Sequence, residues 1–180
     1  MMILDSGLLF WANLYIRVKY CADPTADCSS DIIFVLVESK HMGSANFDRI
    51  KTFLSSLVGT YDIDSEKTRV GVVTYSTVVG TYINLNAHST GSSLQTAISS
   101  ISYSGLESNM AAALAFVRTT MLTAEAGYRS HVSTAIVIIT AGTSTYFKSA
   151  QVGEKRVVLC VRYCIIKKSN QIKFIKNGRA

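Results

Sequence analysis

The chain has 180 residues, 48% hydrophobic, 17% charged and 9% aromatic, with one proline and 11 glycines. That length suits one globular domain, and the composition excludes collagen-like, coiled-coil and disordered chains. The net charge of +6 is held unevenly, with nine basic and eleven acidic side chains in residues 1–147 but nine basic and one acidic in residues 148–180.

Gly7 to Ile16 (GLLFWANLYI) has the length and apolarity of a signal-peptide core, although Asp5 stands where a positive start is expected. An N-terminal strand is the other reading. No uncharged apolar run reaches the ~18 residues that a membrane span needs. Cys21 and Cys28 precede the body of the chain, and Cys160 and Cys164 follow it. This placement suits disulfides that clamp a secreted domain, and the spacings fit zinc sites poorly.

Residues 32–37 (IIFVLV) form an unbroken apolar run rich in β-branched residues, the pattern of a strand buried on both faces. A Met42-Gly43 turn follows. Phe47, Ile50, Leu54 and Leu57 then recur at helical spacing and predict a helix over 45–58. Residues 68–75 (TRVGVVTY) predict a second buried strand, and 81–85 (TYINL) an antiparallel partner at the sheet edge. Leu94, Ile98 and Ile101 mark a short helix opening near Thr90 or Ser92. Met110, Ala113, Leu114, Val117 and Met121 mark a longer one over about 109–124, with Ser108 or Asn109 as cap. Residues 131–140 (HVSTAIVIIT) hold another apolar strand, and 156–166 (RVVLCVRYCII) read as one more.

Strands alternating with amphipathic helices predict an α/β fold, with a doubly wound, mostly parallel sheet flanked by helices. Ligands in such sheets sit beyond the carboxyl ends of the strands. Three loops therefore matter: 38–44, 104–110 and 141–146. The expected organisation is an N-terminal segment at 1–30, a domain at 31–147 and a basic tail at 148–180. The tail is a candidate for binding polyanions.

Four segments, in order, resemble a von Willebrand factor A domain of the kind found in matrilins, collagen VI and other matrix proteins. They are DIIFVLVESKHMGSANFDRIKTFLSSLV (31–58), DIDSEKTRVGVVTYSTVVGTYINLN (62–86), YSGLESNMAAALAFV (103–117) and AIVIITAGTS (135–144). The resemblance implies a metal-ion-dependent adhesion site, in which Asp-x-Ser-x-Ser, a Thr and an Asp from the three loops hold a divalent cation. Carried onto this chain, Val37 stands at the first Asp, Ser39 at the first Ser and His41 at the second. Ser108 stands at the Thr and Ala141 at the last Asp. Both carboxylates are replaced, and a hard dication wants charged oxygen ligands. No bound Mg²⁺ or Mn²⁺ is therefore expected. Glu38 and Glu107 are the acids that a rearranged loop would recruit, and His41 suits zinc or copper better than magnesium. The family's closing pattern after Ser144 is not recognisable, so the fold is expected to be incomplete at its C-terminal end.

No G-x-S-x-G elbow and no Gly-rich phosphate loop occurs, and Ser39 with His41 lacks a third partner. No platform for stacking nucleic-acid bases is visible. The expected function is a secreted, non-enzymatic module of the extracellular matrix that binds matrix proteins such as collagens without a metal. The alternatives are a metal-assisted binder through a rearranged site and a polyanion binder through the tail.

Overall fold

The computed structural model describes residues 29–141, together with the backbone of two further strands at 157–164 and 173–175. The elements are β1 (Ser30–Val37), α1 (Ser44–Val58), β2 (Thr68–Tyr75), β3 (Val79–Ile83), α2 (Gly91–Ser99) and α3 (Met110–Phe116). A π-helical turn (Val117–Met121) continues α3, and β4 (Ser133–Ala141), β5 (Val157–Cys164) and β6 (Lys173–Ile175) follow.

These strands form one sheet in the order β3-β2-β1-β4-β5-β6. β1 runs parallel to β2 and β4, and β4 parallel to β5. β3 and β6 pair antiparallel at the two edges. The central position of β1 follows from its composition: Ile32 to Val37 are at most 1% exposed, and only a strand covered on both faces can bury such a run. β5 lies along β4 where a sheet ending at β4 would leave an unpaired edge, so the strand read at 156–166 extends the sheet. The cysteine side chains and the proposed signal segment fall outside the described residues.

The helices cover the sheet with the stripes that their spacing predicts. α1 buries Phe47, Ile50, Phe53, Leu54, Leu57 and Val58, and α2 buries Leu94 and Ile98. The Thr90 side chain caps α2 by accepting from Ser93 N at 3.3 Å, and Asn109 Oδ1 caps α3 by accepting from Ala112 N at 3.2 Å. Gly43, at φ +74°, opens α1 in a conformation that a side chain would strain.

Two expectations shift. β3 begins at Val79, two residues before the alternating run, because a tight turn (Ser76 N donating to Val78 O at 2.9 Å) sets the hairpin. The long helix ends at Met121, where its last turn widens and Leu122 N donates to Val117 O at 3.0 Å.

Buried polar residues gather at the two ends of the strands, leaving the middle apolar. At the amino ends, the foot of the sheet, Asp31 is fully buried and ion-paired to Arg129 Nη2 at 2.8 Å. It also accepts from Arg129 N and Nε, at 2.8 and 2.9 Å. The same guanidinium donates to the carbonyls of Ser30, Glu66 and Lys67, tying together the lead-ins to β1, β2 and β4. At the carboxyl ends lie Glu38, Ser39, Thr74, Ser76 and Thr140, all buried.

Candidate functional site

Loop 38–44 leaves the carboxyl end of central β1, and loop 104–109 lies beside it. Main-chain hydrogen bonds join the two: Lys40 N donates to Leu106 O at 2.8 Å and Gly105 N to Glu38 O at 3.0 Å. The Tyr103 hydroxyl donates to Ser39 O at 2.9 Å. Asn109 N donates to Ser76 O at 2.7 Å, which fastens the second loop to the β2–β3 turn. The fold thus brings the first two loops predicted to matter into one rim.

The structure places each candidate residue as follows. Val37 closes β1, is fully buried and stands in register with Tyr75. Ser39 is 1% exposed, whereas His41 and Ser108 stand in solvent. Ala141 ends β4, next to β1 in the sheet. The positions therefore share one end of the sheet, but the oxygen donors among them are two hydroxyls, one buried and one exposed.

Neither acid considered for rescue is available to them. Glu38 is 3% exposed and points toward β3, where a Cβ at Gly80 would collide with its Oε1 and with Thr74 Oγ1. Burial raises its pKa, and hydrogen bonds from Ser104 and Thr74 oppose the rise. Glu107 is exposed and ion-paired with Lys40, whose hydrogen bond holds the Glu107 carboxyl below its ordinary range. Among the described residues, no three His, Cys, Asp or Glu side chains gather where they could hold a metal. This donor set does not meet the demand of a hard dication for charged oxygens.

The Lys40–Glu107 pair and the Tyr103 tether were not legible as site features. Opposite charges in two loops that the motif alignment brings together were the signal for the first. The direction of Glu38 did follow from strand alternation past Val37.

The burial of Glu38 carries a pH signature. Its raised folded-state pKa means that the protonated carboxyl favours the fold. Its contribution is therefore complete below its ordinary value of 4.5 and is lost as pH rises through the raised value. Glu38→Gln is expected to match or exceed the wild type in stability at neutral pH and to flatten this limb of the profile. Urea unfolding at a series of pH values tests it, and a variant that keeps the wild-type slope would refute the assignment.

Comparison with known proteins identifies the family. A family model, von Willebrand factor type A domain, matches residues 31–162. The von Willebrand factor A domain-containing protein 2 of Xenopus laevis is 33% identical over 130 residues, covering 71% of this chain and 16% of that protein. The collagen alpha-1(XII) chain of Notophthalmus viridescens is 30% identical over 122 residues, covering 68% and 13%. This chain thus spans less than a fifth of either relative. The solved structure of proximal thread matrix protein 1 from the mussel byssus shares the fold, with a TM-score of 0.64 at 19% identity, over 76% of this chain and 38% of that one. With a parallel sheet centred on β1, the loop motifs at its carboxyl end and a family match across both, the chain belongs to the von Willebrand factor type A family.

Proposed function

We propose that this domain is a non-enzymatic, extracellular matrix-binding module that engages a partner protein through its rim without a bridging cation. One observation carries the proposal: the carboxylate positions hold Val37 and Ala141, and both neighbouring acids are engaged elsewhere, Glu38 under β3 and Glu107 with Lys40. The rim offers a different chemistry. Leu106 is 51% exposed beside the Lys40 and Glu107 charges, and an apolar contact flanked by charges suits protein recognition. The collagen relative supports a matrix setting, and none of the described helices is long and apolar enough to cross a membrane.

Two measurements test this. Adding Mg²⁺, Mn²⁺ or Zn²⁺ is expected to leave the thermal midpoint unchanged, whereas a ligand of the folded state at a hundred times its dissociation constant would stabilise it by about 2.7 kcal/mol. Zn²⁺ is included because of His41. Binding to an immobilised panel of collagens and other matrix proteins is expected to survive EDTA and to weaken in Leu106→Asp. Loss of binding in EDTA would overturn the metal-free reading. Hydrolytic turnover that Ser39→Ala abolishes would overturn the non-enzymatic one.

A further inference from the structure

The β2–β3 hairpin is irregular where it meets the buried carboxyl of Glu38. Val73 pairs with Tyr82 and Tyr75 with Val79, so one residue of β2, Thr74, stands opposite two of β3, Gly80 and Thr81. This is a β-bulge, a feature that re-aims side chains and is over-represented next to functional sites. A Cβ at Gly80 would strike Glu38 Oε1 and Thr74 Oγ1, so the bulge and its glycine open the slot that the carboxyl fills. Glu38 joins three elements there. Its N–H donates to Tyr75 O of β2 at 2.9 Å, its carbonyl accepts from Gly105 N at 3.0 Å, and its side chain lies under β3.

The slot has more acceptors than protons. Thr74 Oγ1 donates to Thr81 O at 3.2 Å, and Ser104 Oγ to the main-chain oxygen of Glu38 at 3.4 Å. The same two hydroxyls bond the Glu38 carboxyl, and each has a single proton to give. A neutral carboxyl resolves the conflict, because its own O–H donates to Thr74 Oγ1 while Thr74 still donates to Thr81 O. A carboxylate has no proton, so it must draw the hydroxyls away from those carbonyls. No cation relieves it, since Glu38 has no ion pair among the described residues. In the loops, Lys40 pairs with Glu107, His41 stands in solvent and the Tyr103 hydroxyl is given to Ser39 O. In α1, Lys51 pairs with Asp48, and Arg49 donates to Asn46. On the strands, Tyr75 is in register with Val37 and Tyr82 with Val73, which places both on the other face of the sheet from Glu38 and Thr74.

We propose that Glu38 is a proton-operated latch between the rim and the β2–β3 hairpin. With the carboxyl neutral, a chain of hydrogen bonds runs from Glu38 through Thr74 to Thr81 and holds the hairpin against loops 38–44 and 104–109. With the carboxyl ionised, the two hydroxyls turn to it, Thr81 O and Glu38 O lose those donors, and a charge sits in a buried slot. The hairpin then parts from the rim. Linkage gives the size of the effect. In the opened state the carboxyl is in water and titrates near its ordinary 4.5, while in the closed state burial raises that value. Closure is therefore complete below 4.5 and is lost as pH rises to and through the raised value, by about tenfold for each pH unit between the two. The latch stands without the matrix-binding reading. Only its consequence for a partner rests on that reading: a ligand of the closed rim is held more tightly on the acid side.

The test is amide exchange of the full chain between about pH 4 and pH 8, beside a carbon-13 titration of the Glu38 carboxyl. Exchange is expressed as protection, so that its intrinsic pH dependence cancels. The amides to follow are Gly105 and Asn109, which donate to Glu38 O and Ser76 O. In the wild type their protection is expected to fall by about tenfold for each pH unit between 4.5 and the midpoint of the carboxyl, and to level off above it. Arg129 N, bonded to Asp31 at the foot, is expected to keep its protection. Glu38→Gln, whose amide N–H donates to Thr74 as the neutral acid does, is expected to hold the acid-side protection at every pH. The latch is overturned by a carboxyl that titrates at 4.5 or below, or by protection that does not follow the carboxyl. An equal fall in Glu38→Gln, or a loss of the same size at Arg129, overturns it too. The two wild-type measurements decide the matter even where Glu38→Gln does not fold.

Discussion

Arg129→Met is expected to destabilise the fold by about 3–5 kcal/mol, because it leaves the fully buried Asp31 carboxylate without its partner. For a chain of this size that lowers the thermal midpoint by on the order of 10 °C. Most of the cost comes from the stranded charge rather than from the lost attraction. The double variant Asp31→Leu/Arg129→Met, which removes both charges, is therefore expected to recover part of the loss. It will not recover all, since the carbonyls of Ser30, Glu66 and Lys67 also lose a donor. Thermal unfolding of the three proteins measures this. A double variant no better than the single one would mean that the pair acts chiefly through those carbonyls.

Phe47→Ala is expected to cost a similar amount, about 3–5 kcal/mol, but to loosen the opposite end of the sheet. Phe47 is fully buried, and its ring packs against Tyr103 at 5.6 Å between centroids. Lys51 Nζ lies 5.7 Å from the same ring and donates to Ile101 O at 2.9 Å, holding the chain just after α2. Removing the ring takes away one wall of Tyr103, whose hydroxyl holds Ser39 O. Amide exchange at Lys40 and Gly105, whose N–H groups bridge the two loops, should quicken more than exchange at Arg129. In Arg129→Met the order should reverse for the amides at the foot. If both variants loosened both ends alike, the separation of foot and rim drawn from the contacts would be wrong.

What the sequence revealed depended on the range of the interaction. β1 and β2 were legible because short apolar runs rich in β-branched residues have few other ways to be buried, and α1 because its apolar stripe has helical spacing. The start of β3 was not, since a hairpin without an Asn-Gly signal is placed by its partner strand rather than by its own residues. The end of α3 was hidden because a single widened turn leaves the spacing of Met110, Ala113, Leu114 and Val117 unchanged. At the site, motif order placed Ser39, His41 and Ser108 on converging loops, and alternation gave the direction of Glu38. Pairing of Lys40 with Glu107, and of Asp31 with Arg129 across 98 residues, depends on the closed fold.

The bonds joining Lys40 to Leu106 and Gly105 to Glu38 run from main chain to main chain. The contour of the rim is therefore largely independent of which side chains it displays at 40, 41, 106 and 107. A binder arriving there would have to still rotamers, at about 0.5–1.5 kcal/mol for each long side chain, without also having to order a loop. The same property makes these four positions suitable for grafting: new recognition groups can be installed on a frame that does not have to refold to present them.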